Sequence, residues 1–152
     1  MATHPFIREA RMQAEIIAYL AGLFDGEGTL GVYTVNSIQY PTTTLSIKIT
    51  LCDYKPLQLC KKYYGGSLFE RKRLKSGRRC WQWCLYGNNR KTFLKNILPF
   101  SIIKKSQIIL GLKYLKEFNF DHGGNRHGIN HKRQNWFNQK FKQLKKLDCR
   151  TK

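Results

Sequence analysis

The chain has 152 residues, 28 of them Lys or Arg against 9 Asp or Glu, which gives a formal net charge of +19. That length suits one domain with a real core and excludes two, and 41% hydrophobic residues exclude a chain too polar to fold. The charge predicts a polyanionic partner, nucleic acid first and an anionic membrane surface second. It is a broad signal, because RNA-binding proteins of ribosomal type share it.

Met1–Phe6 reads as a short arm, and Arg8 to Asp25 as the first helix, with Met12, Ile16, Tyr19, Leu20 and Leu23 at helical spacing. Its apolar run, Ile16–Phe24, is far shorter than the ~20 residues a membrane span needs. Glu9 and Glu15 precede the run, unlike a secretory leader. Thr29–Asn36 and Thr42–Leu51 read as strands joined across Ser37–Pro41. The second alternates: Leu45, Ile47, Ile49 and Leu51 take one face, and Thr44, Ser46, Lys48 and Thr50 take the other. Asp53 is placed to cap a helix from Tyr54 to Tyr64, which Gly65–Gly66 would close. A second hairpin follows: Ser67–Leu74, a turn at Lys75–Ser76–Gly77, then Arg78–Tyr86. Trp81, Trp83 and Leu85 form its core face, with Cys80, Gln82 and Cys84 opposite. The register of Leu68–Arg73 stays open, since either Leu68 or Phe69 could be the inward residue. Asn88 or Asn89 starts a short helix to Leu98, which Pro99 breaks. Lys104–Phe118 is an amphipathic helix carrying Ile108, Ile109, Leu112 and Leu115. Asp121–Asn130 is a glycine-rich linker, and Trp136–Leu147 a last, very basic helix.

This order predicts an α+β fold, αββαββα, in which helices cover one face of a four-stranded antiparallel sheet. It is one domain over 1–152, with a core at about 8–118 and a basic loop and helix at about 119–152. Five cysteines, Cys52, Cys60, Cys80, Cys84 and Cys149, form no Cys-x-x-Cys pair, and their number is odd. They read as free thiols in a reducing intracellular compartment, cytoplasm or organelle matrix. His122, His127 and His131 raise a zinc reading, but no cysteine pair accompanies them, and loop or phosphate contacts are favoured.

The unusual stretch is Tyr19–Gly28. Ala14, Ala18 and Gly22 recur every four residues and form a smooth helix stripe that a second backbone could approach closely. Asp25 and Glu27 stand at the predicted C-terminal end of the helix, where the macrodipole disfavours anions and favours a cation. Gly26 and Gly28 permit positive φ there and leave carbonyls open to a ligand. Leu20–Gly28 reads Leu-Ala-Gly-Leu-Phe-Asp-Gly-Glu-Gly, which resembles the signature of the LAGLIDADG homing endonucleases. Both glycines and both acids stand in matching places. Phe24, Gly26 and a glutamate for the second aspartate are the departures.

The resemblance implies a metal-dependent, site-specific DNA endonuclease acting as a homodimer on a long, roughly palindromic target, encoded within an intron. It makes Glu27 the metal ligand, with the Gly26 carbonyl beside it, and leaves Asp25 a structural part. Mg²⁺ would be the cofactor, with Mn²⁺ also supporting activity and Ca²⁺ binding without cleavage. Pro99–Gln107 looks like the family segment with an active-site lysine, here Lys104, whose alternative is a solvated helix-start lysine. Asp53 stands where the family has a polar residue near the metal, beside its capping reading. The motif occurs once, so the dimer contact falls on Ala18, Gly22 and Ala21.

A twisted antiparallel ribbon fits the major groove. Candidate DNA contacts are Tyr33, Asn36, Gln39, Tyr40, Thr42, Thr44, Ser46, Lys48, Arg71, Arg73, Arg78, Arg79 and Gln82. Lys61–Arg79 holds eight basic residues and one acid, a cluster that meets phosphates by default. Two other readings compete: a non-cleaving nucleic-acid binder of the same fold, such as a maturase that takes intron RNA or a regulator, and a general RNA-binding protein.

Overall fold

The computed structural model describes residues 5–35, 42–71, 77–118 and 131–150. The expected contacts Asn36, Gln39, Tyr40 and Arg73, together with His122 and His127, lie outside the described residues. The chain runs α1 (Pro5–Glu27), β1 (Gly28–Val35), β2 (Thr42–Leu51), α2 (Lys55–Tyr64), β3 (Ser67–Arg71) and β4 (Cys80–Leu85). It continues through α3 (Asn89–Ile97), α4 (Lys105–Glu117) and α5 (His131–Arg150). The four strands form one antiparallel sheet in the order β1-β2-β4-β3. This is the α+β architecture expected from the sequence.

Register assigns the two faces. Val32 pairs with Leu45, Leu30 with Ile47, Ile49 with Trp83 and Leu68 with Trp83, so these side chains share the inner face with the helices. Leu68 is therefore the inward residue of β3, and Phe69 points outward opposite Gln82. Phe93 of α3 collects edge-on rings from three elements: Phe24 of α1 at 5.5 Å, Tyr64 of α2 at 5.0 Å and Trp83 of β4 at 5.3 Å. The Trp83 indole N–H, buried with its ring, donates to the Gly65 carbonyl at 2.8 Å, which fixes the end of α2 on the sheet. That end uses two glycines in the left-handed region, φ 72° at Gly65 and 84° at Gly66.

Some details differ from expectation. Asp53 does not cap α2: Tyr54 is the N-cap, and Asp53 Oδ1 accepts from the Lys55 N–H at 3.3 Å, a local turn before the helix. The inward face of α4 carries Gln107, Ile108, Gly111 and Tyr114, while Ile109 is exposed. The apolar core also extends past residue 118. Phe137 and Phe141, one helical turn apart on α5, are fully or almost fully buried. Phe137 packs edge-on against Tyr114 at 5.3 Å. Arg133 clamps Glu117 with two hydrogen bonds, at 2.9 and 2.8 Å, and ties α5 to α4. Among the described residues, no helix is long and apolar enough to cross a membrane.

Candidate active site and nucleic-acid interface

The site begins where α1 hands over to β1. The turn is tight: a Cβ on Gly28 would lie 2.2 Å from the Phe24 ring and 2.5 Å from the Phe24 carbonyl oxygen. Glycine is required there by contact. Neither Gly26 nor Gly28 is among the glycines with positive φ, so the expected left-handed geometry gives way to simple crowding.

Asp25 and Glu27 part company at this turn. Asp25 is buried, and its carboxylate is filled by a single loop. Ser101 Oγ donates to Oδ1 at 2.5 Å, the Ile102 and Ile103 N–H groups donate to Oδ2 at 2.6 and 3.0 Å, and the Lys104 N–H donates to Oδ1 at 3.0 Å. Lys104 is the N-cap of α4, so Asp25 supplies from α1 the anion that a helix N-terminus favours. Burial pushes this carboxyl up, but the Ser101 hydroxyl and the three backbone donors outweigh it and hold Asp25 below the usual carboxylate range. In return, the Lys104 ammonium donates to the Asp25 carbonyl oxygen, a cation on the C-terminal turn of α1. The exchange brings Lys104 to the helix end that bears Glu27. Glu27 itself is exposed. Asp53 is exposed in the bend after β2, with its carboxylate on the Lys55 N–H.

A divalent cation fits this arrangement. Mg²⁺ takes one or two carboxylates and keeps several waters. Glu27 offers one exposed carboxylate, and the adjoining Gly26 is also exposed, at the negative end of a helix. Asp25 has no capacity left to join them. Among the described residues, no three or more His, Cys, Asp or Glu side chains gather into a metal cage.

The outer face of the sheet carries Tyr33, Thr44, Ser46, Lys48, Phe69, Arg71 and Gln82 in register. Tyr33 is exposed, with the Lys48 ammonium 4.9 Å from its ring centre. Arg71 and Arg78 are exposed at the far end. Ser46 and Gln82 are on this face but buried in its floor, beneath longer neighbours; Gln82 Nε2 donates to Cys84 Sγ at 3.2 Å. The Thr44 hydroxyl accepts from Arg90 at 3.0 Å, and the same guanidinium nitrogen donates to the Leu45 carbonyl at 2.7 Å, just past the end of the β4 ladder. Arg79 is exposed. It pairs with Glu70 at 3.7 Å, and Glu70 stands opposite Trp81 on the inner side of the hairpin. The side chain of Thr42 lies outside the described residues.

Three side chains of this face escape sequence reasoning. Phe69 and Tyr86 are exposed aromatics on it. Lys145 comes from α5, which packs on α4 and along the edge strand β1. Its ammonium would lie 3.2 Å from a Cβ on Gly31, beside the Tyr33 ring, so the last helix lends a cation to the outer face. Burial pushes this lysine below its usual range. Only the aromatic alternation of the second hairpin could have flagged Phe69, and nothing local points to Lys145.

Of the expected contact residues on α1, Gly22 is exposed and Ala18 half-buried, whereas Ala21 is fully buried. Ala21 shares the Leu20 and Phe24 side of the helix, about one residue's rotation from Gly22, and belongs to the core.

No family model and no curated protein sequence matches the chain. Solved structures do match. The homing endonuclease I-CvuI in complex with its target aligns with a TM-score of 0.61 at 20% identity, over 84% of this chain and 95% of that one. The archaeal intron-encoded homing endonuclease I-Vdi141I, complexed with DNA, gives 0.67 at 18% identity, over 84% and 82%. The LAGLIDADG homing endonuclease I-GzeII with its DNA target gives 0.58 at 15% identity, over 73% and 38%. The chain therefore has the LAGLIDADG homing-endonuclease fold, as its αββαββα order and its motif lead one to expect.

Proposed function

We propose that this chain is a site-specific, intron-encoded DNA endonuclease that works as a homodimer and makes a double-strand break in a long, roughly palindromic target. The observation that carries this reading is the interlock of Asp25 with Ser101–Lys104, which sets a lysine ammonium at the same helix end as an exposed glutamate. In that reading Glu27 and the Gly26 carbonyl hold a divalent ion. When bound there, such an ion would supply a nucleophilic water at neutral pH and would neutralise phosphate charge. Lys104 stabilises the charge that builds on the phosphate. Tyr33, Lys48, Arg71, Arg78 and Lys145 bind the duplex from the outer sheet face. The likeness to I-CvuI and I-Vdi141I, both bound to DNA, supports duplex DNA as the partner. I-CvuI was crystallised on DNA with Ca and, with the DNA not cleaved, with Mg, which supports a divalent ion here; Mg²⁺ is the proposed cofactor, with Mn²⁺ as a substitute and Ca²⁺ as a non-cleaving ligand.

Glu27→Gln tests the assignment, because it removes a ligand charge and keeps the helix. Cleavage of supercoiled DNA carrying the insertion site in Mg²⁺ should be abolished, while gel-shift affinity in Ca²⁺ falls by less than about tenfold. Near wild-type cleavage by the variant would remove Glu27 from the reaction. Binding without cleavage by the wild-type protein in both Mg²⁺ and Mn²⁺ would favour a non-cleaving binder.

A further inference from the structure

Cys52 and Cys80 carry a feature that the nuclease reading does not use. β2 and β4 pair antiparallel up to Leu51 opposite Trp81. One step further, Cys52 faces Cys80 on the outer side of the sheet, and their sulfurs lie 3.0 Å apart. Directly opposed antiparallel residues have Cα atoms about 4.5–5.5 Å apart, inside the span of about 4.4–6.8 Å that a disulfide bridges.

The two thiols are also unequal in access. Cys52 is exposed and Cys80 buried, the arrangement of an attacking sulfur backed by a resolving one. The Cys80 thiol is pushed up, first by its hydrogen bond with Cys52 and then by burial, so Cys80 holds its proton while Cys52 meets the solvent. The other described cysteines cannot compete. Cys60 is buried in the core, and burial raises its thiol to about 12. Cys84 is buried on the same face but four residues along β4 from Cys80, about 13 Å away.

We propose that Cys52 and Cys80 form an oxidisable dithiol, a modification site that a low-molecular-weight disulfide of the glutathione type converts to a cross-strand disulfide. The Cys52 thiolate attacks one sulfur of the oxidant, forms a mixed disulfide and expels one thiolate. The Cys80 sulfur, losing its proton, then attacks Cys52 Sγ and expels the second. Two protein thiols give up two electrons and two protons, and the oxidant leaves as two thiols. The bond closes a loop between positions 28 apart in sequence and covalently joins β2 to β4. This chemistry is independent of what the outer face binds.

The experiment treats the reduced, folded full chain with excess oxidised glutathione, blocks the remaining thiols with iodoacetamide and maps the peptides by mass spectrometry. The expected product is a dominant Cys52–Cys80 bridge, with the melting temperature raised by roughly 5–10 °C. Cys52→Ser should abolish the bridge and the shift. Cys80→Ser, or Cys80→Ala if the first folds poorly, should accumulate glutathione on Cys52, and Cys84→Ala should behave as wild type. A wild-type protein that stops at glutathionylated Cys52, bridges a different pair or does not react overturns the proposal. So does a bridge that forms in the urea-unfolded chain but not in the folded protein.

Discussion

Asp25 and Glu27 are two residues apart, yet one carboxylate takes four hydrogen bonds from a single loop and the other stands in solvent. The buried one makes a prediction of its own. Its carboxyl is held below the ordinary value, so the ionised form is the one the fold favours. Its contribution is therefore complete above the unfolded value of about 3.8 and disappears as pH falls through the lower folded value. Asp25→Asn puts an amide N–H₂ against backbone donors, and it should cost about 2–4 kcal/mol at neutral pH. Urea unfolding at several pH values should show the gap to wild type constant from pH 7 down to about 4 and narrowing below 3.8. A gap that stays the same at pH 3 would mean that the ionised carboxylate is not what holds the loop. The motif's resemblance made Glu27 the metal ligand and Asp25 a structural part, but composition and spacing alone do not separate them. Two acids at a helix end look alike until the partner loop, more than seventy residues downstream, is in place.

At the scale of elements, α5 is the test of where the core ends. Phe137 is fully buried and packs on Tyr114, and the Tyr114 hydroxyl donates to the Thr43 carbonyl at 3.1 Å. Removing that ring opens a cavity between α4 and α5. Phe137→Ala should destabilise the chain by about 3–5 kcal/mol, and calorimetry should register it as a lower melting temperature of one cooperative transition. Loss of α5 signals alone, with the rest of the chain melting as before, would make α5 an appendage. Here the sequence was only partly legible. The strict alternation of β2 gave its bounds, Thr42–Leu51, without error, because a half-buried strand writes its two faces directly into the residue order. In α5 the two buried phenylalanines are interleaved with lysines and glutamines, so charge hid the core stripe. In β4 both faces are buried, Cys80, Gln82 and Cys84 as well as Trp83 and Leu85. Alternation correctly sorted that strand's faces, but it could not tell that the outer one is covered by its neighbours. The choice between Leu68 and Phe69 depended on pairing with β4, which no local pattern encodes.

For the whole molecule, the decisive surface is the exposed side of α1. Gly22 sits inside a 23-residue helix, and a Cβ there would meet nothing within 4 Å. Within one chain, alanine would fit and would stabilise the helix by about 1 kcal/mol. The proposed homodimer would give that glycine a role, because a partner helix would need close approach there. Ala14 is exposed on the same stripe, and apolar side chains remain uncovered around the helix end, Tyr19 at 50% exposure and Ile102 at 86%. A second α1 across a two-fold axis would cover them and bring two Glu27 side chains together, one for each strand of a duplex. The prediction separates the two kinds of stability. Gly22→Ala should leave the single chain as resistant to urea as wild type, or more so by up to about 1 kcal/mol, while weakening dimerisation. Gly22→Leu should abolish the dimer and double-strand cleavage together. Analytical ultracentrifugation with and without DNA in Ca²⁺ reads the association state, and plasmid linearisation in Mg²⁺ reads the paired activity. A Gly22→Leu protein that sediments as a dimer and linearises plasmid would refute the contact, as would a wild-type complex with one chain per cleaved duplex.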